Sequence, residues 1–70
     1  MTISESLAKG LSRKRFEKGL TLEELSKLSG VTAPQISKME NEKTMPTLRT
    51  LEKLALALDT KVFYLLKGDE

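Results

Sequence analysis

The sequence predicts an all-α fold, a compact arrangement of five helices in a single domain spanning 1–70, and three observations predict it. Apolar residues recur at steps of three and four (Ile3, Leu7, Leu11; Leu22, Leu25, Leu28; Leu48, Leu51, Leu54, Leu58), while no segment keeps the alternation of a half-buried strand. Threonines stand where these series begin. Glycines stand where the first two end.

The first helix is placed at about 3–18, because Thr2-x-x-Glu5 forms a capping box that satisfies orphan N–H groups at its start. Gly19 follows it, where a left-handed C′ residue costs glycine least. The second runs over about 22–29, from the box Thr21-x-x-Glu24 to Gly30. The third, about 33–41, opens with Thr32-x-x-Gln35 and carries Pro34 in its first turn, where proline loses no intrahelical hydrogen bond and its fixed φ favours initiation. The fourth and fifth, about 48–58 and 61–66, follow the candidate N-caps Thr47 and Thr60.

Composition excludes whole classes of chemistry. With no cysteine and no histidine among 70 residues there is no thiol nucleophile, imidazole base, disulfide frame or soft metal site. A chain this short also has little mass for a substrate domain or lid. Neither an enzyme nor a bound metal or cofactor is expected. The adjacent acids Glu23 and Glu24 do not revive catalysis: neighbours on a helix point to different sides, Glu24 fits the capping box, and both favour the N-terminal dipole. No apolar run approaches the ~20 residues that span a bilayer, and the N-terminus lacks a basic segment followed by an apolar stretch, so the chain reads as cytoplasmic, with no membrane partner.

The net charge is a modest +2, but it is unevenly distributed. Residues 1–20 carry a surplus of three positive charges from Lys9, Arg13, Lys14, Arg15 and Lys18, and the remaining fifty residues sum to −1. Such a surplus suits either a solvated helix face or phosphate binding.

The segment from Thr21 to Asn41, TLEELSKLSGVTAPQISKMEN, pairs two short helices across a tight turn at Ser29-Gly30-Val31, with Leu22, Leu25, Leu28, Val31, Ile36 and Met39 as a shared core. This is a helix-turn-helix at helices two and three. Around it lie Arg15 in the leading helix, GLTLEELS at 19–26, GVT at 30–32, ISKME at 36–40 and MPTLRTLEKLALAL at 45–58. In order and spacing this concatenation resembles the lambda-repressor-like Cro/C1-type family, also called the XRE family, over nearly the whole chain.

The resemblance implies that the helix at 33–41 enters the major groove of double-stranded DNA, which is wide enough for a helix and presents a distinct pattern for each base pair. With Ile36 and Met39 turned inward, Ala33, Pro34, Ser37, Lys38 and Asn41 share the opposite face. Lys38 suits guanine O6 or N7, Ser37 suits either sense of hydrogen bond, and Ala33 with Pro34 suits a thymine methyl. Thr32 and Gln35 are assigned to capping or phosphate. Phosphate contacts are further expected at the start of helix two (Thr21, Leu22), in the segment holding Asn41, Lys43 and Thr44, and at Arg49. Glu42 stands where the family often carries glycine, which places a carboxylate near those phosphates and asks a non-glycine residue to adopt φ > 0. Modest affinity, or a loop that turns Glu42 outward, is expected. Arg15 and Glu40 match a family ion pair tying helix one to the end of the recognition helix.

The closing segment TKVFYLLKGDE resembles the family's last short helix, in which Val62, Leu65 and Leu66 would close the core. Phe63 and Tyr64 then occupy positions that are usually polar, and a homodimer through them would present two recognition helices to a palindromic operator. The leading expectation is therefore a sequence-specific DNA-binding transcriptional regulator, most simply a repressor. The alternative is a protein-interaction module or antitoxin-type partner on the same fold, with weak or lost DNA binding and a toxin or polymerase as protein partner.

Overall fold

The structure, a computed structural model, describes residues 2–68; residues 1, 69 and 70 of the expected domain lie outside the described residues. Among the described residues five helices follow one another: α1 (Ile3–Glu17), α2 (Leu22–Ser29), α3 (Ala33–Glu40), α4 (Leu48–Ala57) and α5 (Val62–Lys67). No strand occurs among the described residues, and no helix there is long and apolar enough to cross a membrane.

Local chemistry sets the helix starts. Thr2, Thr21 and Thr32 each accept the N–H three residues on, and the side chains of Glu5, Glu24 and Gln35 reach back to the cap N–H groups, so all three boxes are complete. Thr47 caps α4 by accepting from the Thr50 N–H. Thr60, expected to cap the fifth helix, does not: the N-cap is Lys61, without a side-chain cap bond. Thr60 is already committed to the end of α4, where its N–H donates to Ala55 O at 2.9 Å while Asp59 N–H donates to Leu56 O at 3.2 Å.

That pair of bonds is a Schellman closure, and among the described residues it occurs three times. At α1 it joins Gly19 to Phe16 and Leu20 to Arg15, at α3 it joins Glu42 to Met39 and Lys43 to Lys38, and α4 has the pair just described. Each needs a left-handed C′ residue, supplied by Gly19 (φ 68°), Glu42 (φ 61°) and Asp59 (φ 54°). Two of the three are therefore non-glycine, each costing about 1–2 kcal/mol of backbone strain.

The core is one cluster in which Leu7, Leu11, Leu25, Val31, Ile36, Met39, Leu51, Leu54, Leu58 and Leu65 are buried and Leu20, Leu22, Val62 and Leu66 are partly covered. α1 packs on α5 and α3, α2 on α3 and α4, and α4 on α5. The α1–α5 approach depends on Gly10, where an added Cβ would lie 2.2 Å from Leu65 O.

One expected core residue is outside. Leu28 is 61% exposed, although it belongs to the series Leu22, Leu25, Leu28. Each three-residue step falls about 60° short of a full turn, so the third leucine lies roughly 120° round the helix from the first. Ile3 and Leu48, which head their series, are exposed as well.

Candidate nucleic-acid interface

The interface is organised by α3. Ile36 and Met39 are sealed in the core, and the left-handed Gly30, whose N–H donates to Ser26 O at 2.8 Å, turns the chain from α2 into α3. Ser29 Oγ accepts the Val31 N–H at 3.1 Å and braces the same turn. With one face held, the other is presented: Pro34, Gln35, Lys38 and Asn41 are exposed, and Ala33 and Ser37 half-buried.

These side chains are not equally free. Asn41 Nδ2 donates to Ser37 O at 2.8 Å and lies 3.4 Å from Ser37 Oγ, so Ser37 and Asn41 satisfy each other at the helix end. Gln35 Oε1 accepts from the Thr32 N–H at 3.2 Å and from the Thr32 hydroxyl at 3.0 Å, which commits both to capping. Pro34 stands in the first turn of α3, where its missing N–H has no intrahelical partner to lose. Lys38 is exposed and forms no ion pair among the described residues. Of the side chains on this face it is the cation free to engage an acceptor.

Gln35, Lys38 and Thr44 meet along an open groove of about 310 Å³ between α3 and the start of α4. Met39, Met45, Pro46, Thr47 and Thr50 complete its lining. Sequence periodicity did not single out Met45, Thr47 and Thr50 for this place, because the loop that brings them to α3 has no period. Lys43 is exposed beside the groove-lining Thr44. Thr21 and Leu22 stand at the N-terminus of α2 and are not part of the groove. There Thr21 N–H donates to Glu24 Oε1 at 2.8 Å, so Glu24 serves as a cap.

The end of α3 is anchored to α1. Arg15 Nε donates to Glu40 Oε2 at 2.7 Å and Arg15 Nη2 to Glu40 Oε1 at 2.9 Å, a bidentate pair with side chains only 12% and 10% exposed. Arg15 Nη1 also donates to Leu20 O at 2.9 Å, closing the α1–α2 connection. The hydrogen bonds to Glu40 raise the Arg15 pKa above its ordinary value, so the guanidinium stays charged. Arg15 also lies over the ring of Phe16, at 4.8 Å from its centroid. Phe16 is 72% exposed and was not anticipated at the surface; its position falls off the buried α1 stripe of Leu7, Ala8 and Leu11.

At the opposite end of the chain, Phe63 and Tyr64 are 62% and 45% exposed and pack edge to face at 5.4 Å. Lys67 Nζ lies 5.4 Å from the Phe63 ring centroid. Leu65, the next residue along α5, is fully buried in the core, with Val62 and Leu66 partly covered.

Comparison with known proteins agrees with this geometry. The chain is 34% identical over 64 residues to the HTH-type transcriptional regulator DdrOP3 of Deinococcus deserti, covering 91% of this chain and 50% of the relative. It thus spans about half the length of that relative. Among solved structures, the hypothetical transcription factor NHTF from Neisseria superposes with a TM-score of 0.91 at 28% identity, covering 97% of this chain and 78% of that one. The restriction-modification controller protein C.AhdI from Aeromonas hydrophila gives 0.84 at 31% identity, covering 89% and 94%. A family model described as helix-turn-helix, HTH_3, matches residues 11–65, and the chain belongs to that helix-turn-helix family of the Cro/C1 (XRE) type.

Proposed function

We propose that this chain is a sequence-specific DNA-binding transcriptional regulator that acts as a repressor by occluding its operator, reading the major groove with residues 33–41. The observation that carries the reading is the division of α3: Ile36 and Met39 lock it to the core, while the exposed Lys38 projects with no ion-pair partner among the described residues. Lys38 is the principal base reader, through guanine O6 or N7, with Ala33 and Pro34 as apolar contacts for thymine. Ser37 and Asn41, which satisfy each other, contribute through a free hydroxyl proton and a free amide oxygen. Lys43, Thr44, the free amide NH2 of Gln35 and the start of α2 at Thr21 and Leu22 position the duplex through phosphates, while Thr32 serves them only by capping α3 and holding Gln35. With few polar readers, DNA shape and deformability contribute to specificity. This is a binding protein's equipment, not a catalyst's.

The assembly proposed is a homodimer through Phe63 and Tyr64, which form a packed aromatic pair at the surface of α5. A two-fold dimer places its recognition helices about 34–36 Å apart and reads an inverted repeat. The same aromatic pair favours a second reading, in which α5 holds another protein, such as a toxin or polymerase, and DNA binding is weak.

Selection of bound sequences from a random duplex library at near-physiological salt tests the function. An enriched inverted repeat with centres about one helical turn apart is the expected result. Absence of enrichment, with weak salt-sensitive binding only, refutes sequence-specific reading and favours the interaction module. Sedimentation of Phe63→Ser and Tyr64→Ser tests the assembly: both are expected to shift toward monomer, and unchanged sedimentation in both removes the α5 dimer.

A further inference from the structure

Three carboxylates around the helix-turn-helix have partners, whereas Glu42, in the turn that follows α3, does not. Glu24 is held in its capping box, Glu40 by Arg15, and Glu17 lies 3.4 Å from Lys14. Glu42 has no ion-pair partner among the described residues, is exposed, and is flanked in sequence by Asn41, Lys43 and Thr44. Neither Lys38 nor Lys43 neutralises it, although both contribute to the Schellman closure that holds it, Lys43 N–H donating to Lys38 O at 2.8 Å. That closure fixes Glu42 at φ 61°, a backbone conformation that a non-glycine residue adopts at a cost, so the backbone that carries the charge is held in the turn by the fold.

We propose that Glu42 limits DNA affinity: its unpaired carboxylate, held in the turn that follows the recognition helix, repels the duplex backbone and weakens binding to all sequences alike. The inference rests on the reading of α3 and its following loop as the DNA-facing surface. Phosphate contacts carry most of the sequence-independent binding, so a negative charge tethered among them subtracts from that component and leaves base preference unaltered. Lys43 and Glu42 then act as adjacent opposing charges, one adding to the phosphate attraction and the other offsetting it. Occupancy consequently depends more on base contacts and on assembly of a second copy than it would with a neutral turn.

The test uses the full chain titrated on a mixed-sequence duplex and on a duplex selected for binding, from about 50 to 200 mM salt. Glu42→Gln keeps the size and the left-handed backbone but removes the charge; it is expected to tighten binding to both duplexes by about threefold to sevenfold at the low-salt end. The plot of log affinity against log salt is expected to steepen by somewhat less than one unit. Glu42→Gly should show the same gain in affinity together with a melting temperature several degrees higher, because it removes the backbone strain too. Equal affinity and slope for wild type and Glu42→Gln, with both bound, overturns the limiter while leaving the DNA-binding reading intact. A gain confined to Glu42→Gly also overturns it, since backbone relief would then be the cause. Absence of binding by wild type and both variants overturns the limiter and the DNA-binding reading together.

Discussion

Gly10 offers a direct test of how α5 is held. In the middle of α1, replacing glycine by alanine should by propensity alone stabilise the helix by about 1 kcal/mol. The tertiary structure reverses the sign. An added Cβ lies 2.2 Å from Leu65 O, 3.0 Å from Leu65 C and 3.2 Å from Leu65 Cα, and all three are backbone atoms that no side-chain rotation can clear. Cβ contacts under 3.0 Å are essentially never seen, so α5 must retreat or detach. Overpacking of this kind costs about 1–3 kcal/mol. Detachment would expose Leu65, now fully buried, at about 2–3 kcal/mol, and would uncover more of Val62 and Leu66 as well. With the cost of so close an approach at about 2–3 kcal/mol, subtracting the helical gain leaves Gly10→Ala destabilising by roughly 1–2 kcal/mol. At about 4–8 °C per kcal/mol for a domain of this size, the melting temperature should fall by at least several degrees. Thermal unfolding followed by circular dichroism measures it, with Lys9→Ala, an exposed neighbour on the same helix, as the control. A melting temperature for Gly10→Ala equal to or above wild type refutes the close α1–α5 packing. If α5 carries the dimer surface, the same variant should also weaken self-association.

The Arg15–Glu40 pair yields a second prediction: Arg15→Met or Glu40→Leu alone should cost about 3–5 kcal/mol by stranding a largely buried charge, whereas the two together should recover much of it. Urea denaturation of the four proteins forms the cycle, and additive losses in the double variant would show that the two residues act independently. Lys38→Ala should weaken the selected duplex most and relax preference at one base pair, while Lys43→Ala should weaken all duplexes and lessen the salt slope; equal losses on every sequence for both variants refute the assigned roles. The Thr2 backbone N–H bond holds the Glu5 carboxyl below its ordinary pKa of 4.5, aided by the Thr2 side chain. A pKa depressed by folding contributes stability that is present above the ordinary value and lost as pH falls through the depressed one. The melting-temperature advantage of wild type over Glu5→Gln should therefore be present at neutral pH and shrink below about pH 4.5; a gap unchanged in strong acid argues against the capping bond.

The helix order and nearly all the helix starts were legible in the sequence because they are local. A threonine three residues before a glutamate or glutamine satisfies its own helix N-terminus whatever packs around it, and Thr2, Thr21 and Thr32 all do so. The family pattern likewise placed Arg15 opposite Glu40, and the bidentate pair is there. What the sequence left undecided depends on neighbours distant along the chain. Leu28 has the spacing of a core residue but lies on a side of α2 left largely exposed, and Thr60 has the chemistry of an N-cap but closes α4 instead. Met45, Thr47 and Thr50 reached the groove beside Lys38 only because the α3–α4 loop folds back. Gly10 lies inside a helix, where glycine alone signals weakness; only the backbone of α5 at Leu65 explains why no larger residue fits. Capping and periodicity act over a few residues and can be read from order alone, whereas exposure and steric exclusion arise from which surfaces meet, and that was decided when the five helices packed.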